Sequence, residues 1–598
     1  MWDIRACTSL PAMFFEQAER WGDEPLLWAK RQGTWQSLSW RQTAEAVLAL
    51  AAGLRALGIK PGDRVALISE NRPKWAIADL AIMTAGAIAV PAYTTNTIAD
   101  HLHILDNSGA RMAVVSTRPL AERVLAAAAR ATAAPAVIAI EPPPLAQSPG
   151  VDLHAWDAVM ELGRAAGTEA EIRTLVAGLA RQATACLIYT SGTGGVPKGV
   201  MLSHGAILHN CRGATLILEE LGLGREIFLS FLPLSHAYEH TAGLFFPLAI
   251  AAQIYYAEGV EHLAANMAEI HPTIMTAVPR LYESMRGRIL KGLAKASPLR
   301  RRLFEATLAL GTRRIEHGRL GPLDSLADWL LERLVRDKVR ARFGGRLKAF
   351  VSGGAPLPVE VGVFFTALGV RILQGYGQTE TAPVVSVNRP HRVRIETVGP
   401  PMENVELRLA ADGEILVRGE LVMQGYWRDP EATAAALDAD GWLHTGDIGE
   451  CDPDGYLRIT DRKKDLIVNS GGDNIAPQRI EGFLTLRPEI AQAMVHGDRR
   501  PHLVALIVPD LEWAEAWAAA HGIATDIAGL LQSPELRREI SIAVDQVNTQ
   551  LSPIERIRRF CLISDPFTVD NSMLTPTLKI RRHKIREKFS SVLDGLYE

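Results

Sequence analysis

Residues 185–199 read Ala185-Cys-Leu-Ile-Tyr-Thr190-Ser-Gly-Thr-Gly-Gly-Val-Pro-Lys198-Gly199. A short run suited to a buried strand passes into a loop dense in glycine and hydroxyl groups and closed by Lys198. Such a loop suits phosphate: glycines let backbone N–H groups come close to an anion, the hydroxyls donate hydrogen bonds, and the ammonium offsets the charge. It is not a Walker A loop, which needs Gly directly before its Lys and Ser or Thr after it. Here Pro197 and Gly199 flank Lys198. In isolation the same residues also read as a structural turn.

Working outward, the strand signal repeats. A 3.6-residue apolar period over Thr43 to Leu57 is followed by Gly62-Asp63 and the strand-like Arg64 to Ser69. Similar runs stand at Ala110 to Ser116, Ala183 to Thr190, Ile227 to Leu232 and Leu347 to Ser352. Alternating helix and strand signals predict an α/β fold with buried parallel strands. With 598 residues, 48% hydrophobic and 22% charged, the chain can bury large cores. No fixed-period repeat is visible, which excludes a solenoid. Leu244 to Ala257 is the most apolar stretch, yet Pro247 and Gln253 interrupt it and it falls short of the ~20 residues of a spanning helix. A buried strand or core helix is expected there. After about Asp440 short strands and tight turns take over, with Asp452-Pro-Asp-Gly455 reading as a hairpin turn. The charged segment Asp461-Arg-Lys-Lys-Asp465 lacks apolar anchors and reads as a linker, dividing the chain into 1–462 and 463–598.

Lys and Arg number 64 against 67 Asp and Glu, for a net charge of -3. No global charge therefore favours nucleic acid as a partner. Residues 280–348 depart from this balance, with 18 Lys+Arg against 7 Asp+Glu, a surplus of 11 on what reads as long helices. Two readings stand: a solvated helical face, or a platform for anionic membrane lipid or an acidic partner. Cys7, Cys186, Cys211, Cys451 and Cys561 show no CxxC spacing and suit a reducing cytoplasm. Met1-Trp-Asp-Ile-Arg has no basic start before an apolar core, so no signal peptide is expected. The expected location is cytoplasmic, with peripheral membrane contact as the sharper reading of the basic segment.

Four further segments follow the loop: Gln374-Gly-Tyr-Gly-Gln-Thr-Glu380, Gly441-Trp-Leu-His-Thr-Gly-Asp447, Asp461-Arg-Lys-Lys-Asp465 and Leu574-Thr-Pro-Thr-Leu-Lys579. Tyr376, between Gly375 and Gly377, can lay its ring on a base. Thr379 and Glu380 offer a hydroxyl and a hard oxygen to phosphate and Mg²⁺, and Asp447 can accept two hydroxyl protons. Singly, Thr379-Glu380 also reads as a helix cap, Asp447 as an Asx turn, and Arg462 and Lys579 as solvated charges.

Together and in this order, the five segments resemble the signature motifs of the adenylate-forming (AMP-binding) ligases, over essentially the whole chain. The resemblance implies a large N-terminal α/β body and a small mobile C-terminal α+β domain. It implies that Thr190, Ser191, Gly192, Thr193, Gly194, Gly195 and Lys198 cradle the phosphates of ATP. Gly375, Tyr376, Gly377 and Thr379 would serve the adenine and phosphates, Asp447 the ribose hydroxyls, and Arg462 the nucleotide from its ribose side. Glu380 would hold Mg²⁺, Lys464 would be the hinge, and Lys579 would be the adenylation lysine. Catalysis would rest on Lys579, Glu380, Lys198 and Thr190.

Ser230-Phe-Leu-Pro-Leu-Ser-His-Ala-Tyr-Glu239, Lys295-Ala-Ser-Pro-Leu-Arg-Arg-Arg-Leu-Phe304 and Phe350-Val-Ser-Gly-Gly-Ala-Pro-Leu357 look most like the bacterial long-chain fatty acid–CoA ligases. On that resemblance His236 or Tyr238 would gate the acyl entrance, and Gly353, Gly354 and Ala355 would keep the wall thin. Either aromatic reads equally as core packing. Two departures stand out. Gly194 replaces the usual Thr of the loop, removing a possible donor worth ~1 kcal/mol, and no Gly precedes Lys579, a variant associated with the long-chain subgroup. The implied reaction joins a fatty acid to CoA through acyl-AMP, with ATP, Mg²⁺ and CoA required. Open alternatives are a fatty acyl-AMP ligase loading a separate carrier protein, a ligase for aryl or other hydrophobic carboxylates, and an inactive lipid-binding scaffold. The chain ends at Glu598, which leaves no room for a fused carrier and favours the free ligase; retention of Lys198, Glu380, Asp447 and Lys579 argues against the scaffold. Oligomeric state is left open.

Overall fold

The computed structural model of the chain describes residues 4–144, 150–190, 196–471, 473–523, 526–568, 571–575 and 580–598. The apolar runs become strands: Arg64–Ile68, Met112–Val115, Thr184–Thr190, Ile227–Ser230 and Ala349–Ser352, with the helix Trp40–Ala56 where the 3.6-residue period lay. They distribute over two eight-stranded sheets. The first contains, in spatial order, Gly425–Tyr426, Lys198–Ser203, Thr184–Thr190, Ile88–Pro91, Arg64–Ile68, Met112–Val115, Ala136–Ala139 and Leu153–Ala155. Its central pairs are parallel. Met112–Val115 is buried at every position, as expected of a strand covered on both faces. The second sheet sets Ile227–Ser230, Ile274–Ala277, Ala349–Ser352 and Ile372–Tyr376 side by side in parallel.

Trp40 and Trp75, both almost fully buried, lie in one large core with Val65, Leu67 and Ile254, so the helices that carry them pack onto both sheets. The stretch Leu244 to Ala257 divides into helical turns as far as Ala249 and the strand Gln253–Tyr256. Pro247 sits in the first turn of the helix Phe246–Ala249, where its missing N–H is tolerated. Among the described residues no helix is long and apolar enough to cross a membrane.

Glu406–Leu409, Glu414–Arg418, Leu443–Cys451 and Leu457–Arg462 form a four-stranded antiparallel sheet. Its last hairpin turns at Asp452 to Gly455, where Asp452 Oδ1 accepts from the N–H groups of Asp454 and Tyr456. Immediately after Arg462 the chain turns, with the N–H groups of Asp465 and Leu466 bonded to the Arg462 carbonyl. The C-terminal unit has its own three-stranded sheet, Ile490–His496, Leu503–Pro509 and Ile557–Leu562. Its core includes Ile480, Leu503, Ile507 and Ile540, drawn from these strands and the helices Pro477–Thr485 and Pro534–Asn548. The basic segment folds as Pro279–Ala294, Pro298–His317, Pro322–Leu331 and Asp337–Arg342, with a wider π-type turn at Glu332–Arg336. Proline opens the first three of these helices, its ring pre-set for a first turn.

Candidate active site

A cleft of about 1390 Å³ is lined by residues of both large sheets, the four-stranded sheet and the C-terminal unit. Thr184–Thr190 and Lys198–Ser203 pair antiparallel with Thr190 opposite Lys198. Thr190, Pro197 and Lys198 line the cleft. Ser191, Gly192, Thr193, Gly194 and Gly195 lie outside the described residues. Lys198 Nζ is 3.4 Å from Asp429 Oδ2 and 5.2 Å from the centre of the Tyr426 ring. Asp429 uses its other oxygen to cap the helix Pro430–Ala436. The Ala432 N–H, helped by Lys198, holds this carboxyl below its usual range.

Gln374 to Glu380 leaves the strand Ile372–Tyr376 and enters the short 3₁₀ turn Thr379–Thr381. Close backbone approach explains Gly377, where a Cβ would lie 1.8 Å from the Pro383 carbonyl oxygen. Tyr376 lines the cleft, and its hydroxyl donates to Asp447 Oδ2 at 2.7 Å. Arg462 Nε donates to Oδ1 of the same carboxylate at 3.0 Å. Asp447 is buried, so these two donors compensate its desolvation. Burial, then the Asp447 charge, hold the Tyr376 phenol well above its usual range, and it stays a donor. Burial opposes charge on Arg462, but Asp447 and Asp465 outweigh it and raise its pKa. Each Asp447 side-chain oxygen thus already accepts one bond among the described residues and keeps a second lone pair for a further donor.

Glu380 and Thr379 line the same cleft, and Glu380 Oε1 accepts from the Tyr426 hydroxyl at 2.9 Å. Burial and the Glu380 charge keep that phenol protonated. The other Glu380 oxygen has no hydrogen-bond partner among the described residues, a fit for one bond to a hard cation. No group of three or more His, Cys, Asp or Glu is arranged to hold a metal among the described residues. A magnesium ion here would take its remaining ligands from phosphates and water.

His236 and Tyr238 also line the cleft. His236 Nδ1 accepts from the Tyr238 N–H at 3.2 Å, and the Tyr238 hydroxyl donates to the Val351 carbonyl at 2.7 Å. A Cβ on Gly353 would sit 3.1 Å from the Tyr238 ring, so glycine lets the ring lie against the wall. Gly354, at φ +82°, also lines the cleft, whereas Ala355 is exposed and does not. Beneath this turn, Glu239 accepts from Ser230 and Thr276 hydroxyls, each at 2.6 Å, and burial pushes its carboxyl up to about 7.

At the linker, Lys463 Nζ is 2.6 Å from Asp412 Oδ2 and 3.0 Å from Glu414 Oε2. Lys464 is exposed and makes no side-chain hydrogen bond among the described residues. Buried Asp461 bonds the Arg462 N–H at 2.6 Å through one oxygen, while the other has no partner among the described residues. Leu574 and Thr575 line the cleft, but Lys579 lies outside the described residues. Arg581, Arg582, His583 and Arg586 face the cleft from the C-terminal unit. Arg582 forks onto Glu481 through two bonds of 2.6 Å. Sequence reading missed Tyr426, Asp429 and this basic group. The signals were present as Gly425-Tyr-Trp-Arg-Asp429, an aromatic pair before a capping Asp, and as the run Arg581-Arg-His-Lys584.

Comparison with known proteins agrees with this geometry. The chain is 35% identical over 592 residues to a long-chain-fatty-acid–CoA ligase (FadD15) of Mycobacterium bovis, covering 98% of this chain and 97% of that protein. It is 30% identical to long-chain-fatty-acid–CoA ligase 1 of Cavia porcellus, covering 96% and 83%. Among solved structures, the adenylation domain of a carboxylate reductase from Mycobacterium chelonae superposes with a TM-score of 0.73 at 23% identity, covering 98% of this chain and 91% of that one. An anthranilate CoA ligase in complex with anthranoyl-AMP gives 0.71 at 21%, covering 98% of each. Residues 14–427 match the family described as AMP-binding enzyme, and residues 464–598 match its C-terminal domain. With Thr190 and Lys198, the Tyr376–Asp447–Arg462 cluster and Glu380 in one cleft, the chain belongs to the AMP-binding enzyme family.

Proposed function

We propose that this chain is an ATP-dependent fatty acid–CoA ligase acting on long-chain acids. A carboxylate oxygen attacks the α-phosphorus of ATP, forming acyl-AMP and releasing pyrophosphate; the CoA thiol then attacks the acyl carbon and AMP leaves. One observation carries the reading. A single cleft joins the Tyr376–Asp447–Arg462 cluster, Lys198 and Glu380 to the apolar wall of Tyr238 and Gly353, in a chain 35% identical to a long-chain ligase along its length.

In this reading Tyr376, tied down by Asp447, stacks on the adenine while Asp447 takes the ribose hydroxyls. Lys198 exchanges Asp429 for phosphate oxygens, a better partner for a partly exposed ammonium. A magnesium ion at Glu380 would offset phosphate charge. Lys579 bridges the attacking carboxylate and the α-phosphate, stabilising charge that develops in the in-line transition state. We further propose that the chain divides after Arg462 and that 463–598 turns about Lys464 between the two half-reactions.

Pyrophosphate release, measured over fatty acids of graded length with and without CoA, tests this. Release with long-chain acids and thioester formation with CoA are expected. Release with no fatty acid would overturn the reading, and adenylate that forms but passes only to an added carrier protein would replace CoA as acceptor.

A further inference from the structure

Directly after Tyr238 the chain buries a carboxyl to which the proposed reaction gives no role. Glu239 is fully buried where the short turn Ala237–Glu239 passes into a wider π-type turn, His240–Phe245. Its side chain reaches the parallel strands Ile227–Ser230 and Ile274–Ala277 near their C-terminal ends, where an open α/β sheet forms its ligand crevice. The strands pair at Phe228 and Ile274. Two residues farther on, Ser230 and Thr276 stand in matching register, and each gives its hydroxyl to one Glu239 oxygen at 2.6 Å. Asn71 sets the direction of the first bond: its Nδ2 donates to Ser230 Oγ at 3.2 Å, which leaves the Ser230 proton for Glu239. Asn71 also donates to the Leu232 carbonyl at 2.7 Å and accepts from the Leu234 N–H at 3.1 Å, so the loop leading to His236 hangs from the same chain of bonds. Gly243 makes the room. A Cβ there would lie 2.3 Å from Glu239 Cδ, closer than packed atoms allow.

A buried carboxyl is costly, and as a plain strut between strands an apolar side chain would serve at less cost. Its position explains it. Tyr238 lines the cleft with its ring against Gly353 and its hydroxyl bonded to the Val351 carbonyl at 2.7 Å. Val351 lies on the next strand, Ala349–Ser352, opposite Thr276 itself. Tyr238 is therefore fixed at its ring end by Val351 and at its backbone end by the carboxyl of the next residue, and Thr276 is common to both. The nucleotide side has a separate anchor, because Thr241 donates to the Ala382 carbonyl at 3.1 Å beside the turn that carries Glu380. Loss of the Glu239 bonds then moves the wall of Tyr238 and Gly353 and leaves the nucleotide groups in place.

We propose that Glu239 is a positioning residue for the acyl substrate, holding the Tyr238 wall at the width that the chain of the acid requires. The inference rests on the ligase reading and adds to it the group that sets the fit of the acid.

The test is pyrophosphate release by the full chain over fatty acids of graded length, with KM for acid and for ATP and kcat determined separately. Glu239→Met fills the space without the bonds. It is expected to raise KM for the preferred acid about tenfold and to shift the preferred length, with KM for ATP changed by less than about twofold. Glu239→Gln offers one acceptor and one donor at the same places and is expected to restore the wild-type length profile. Burial raises this carboxyl to about 7, so a neutral amide suits its surroundings. Thr276→Val and Gly243→Ala disturb the same carboxyl from either side and keep the test open if Glu239→Met does not fold; each is expected to move the length profile in the direction of Glu239→Met. Gly243→Ala is expected to lose its effect once Glu239→Ala has emptied the space. Equal losses at every chain length, a KM for ATP that rises with that for acid, or a glutamine variant as impaired as the methionine variant overturns the proposal. Wild type that releases no pyrophosphate with any fatty acid overturns the ligase reading and this proposal with it, a result visible before any variant is compared.

Discussion

The nucleotide side of the cleft and the basic helical segment each bury an aspartate against an arginine, to opposite ends. At the cleft, Asp447 meets Arg462 and Tyr376 at the edge of a space that receives a ligand. On the helical segment, Asp328 meets Arg336 against the protein, and Leu323, Leu326, Leu330 and Leu334 are turned outward while Leu331 is buried. A buried ion pair adds little net stability, yet breaking it costs about 3–5 kcal/mol. The pairs therefore act as positioning devices: one fixes an aromatic ring at the wall of the cleft, the other ties a helix to the protein through polar groups while Leu323, Leu326 and Leu330 face away. The same chemical unit thus says nothing of function until the opposite face of its element is known.

The strongest perturbation of the cleft lies outside both pairs. Lys579→Ala is expected to slow acyl-adenylate formation about a thousandfold while sparing thioester formation from supplied acyl-AMP, since its cation serves charge arising only in the first step. Quenched-flow measurement of each half-reaction checks this, and equal loss in both would place the lysine elsewhere. On the helical side, Arg336→Ala is expected to lower unfolding stability in urea by about 3 kcal/mol, because Asp328 loses its closest buried cation. Leu323→Ala on the same helix should stay within about 0.5 kcal/mol. Similar costs at the two positions would erase the contrast between inner and outer faces.

At the cleft, Asp447→Ala removes the acceptor shared by Arg462 and Tyr376. It is expected to lower kcat/KM for ATP about 100-fold, from two bonds worth about 1.5 kcal/mol each, with less effect on urea stability than Arg336→Ala, because the Arg462 left behind is 36% exposed and reaches water. Lys464→Pro should slow the thioester step about tenfold more than adenylation, because it restricts the backbone where the proposed turn occurs.

The smallest effect concerns Asp461. Burial, opposed by the Arg462 N–H and Arg582 and reinforced by Asp465 and Glu481, raises its carboxyl from an ordinary 3.8 to about 7. The folded chain holds this proton more tightly than the unfolded one, so the stability it contributes is complete below about pH 4 and is lost as pH rises through about 7. Between pH 5 and pH 8, Asp461→Asn should therefore lose less unfolding free energy than wild type. Parallel slopes would mean that the group is ionised throughout.

Much of this architecture was legible before any coordinates. Short apolar runs such as Arg64 to Ser69 can be satisfied only where both faces are covered, and they became central parallel strands. Motifs rich in glycine announced the cleft because a residue such as Gly377 answers a steric demand that no other residue meets. What stayed hidden depends on which way a side chain points. Tyr426 reaches Glu380 across 46 positions of sequence, and nothing local in Gly425-Tyr426 names that partner. Leu323 to Leu334 has an ordinary helical spacing, which predicts a buried stripe. Only the packing of Asp328 and Arg336 against Ala367 and Arg314 reveals that the stripe faces out.

Lys463 is riveted at three points, through its ammonium to Asp412 and Glu414 and through its N–H to the Gly446 carbonyl at 2.8 Å. The next residue, Lys464, makes no side-chain hydrogen bond among the described residues. If the C-terminal unit turns about Lys464 as proposed, torque would be delivered to one peptide link, with the four-stranded sheet as its anvil. Two of the rivets are ionic, with Lys463 and Asp412 each about half exposed to solvent, so dissolved salt loosens them. Under the proposed rotation, ionic strength would act on its axle, through the Lys463 pairs with Asp412 and Glu414.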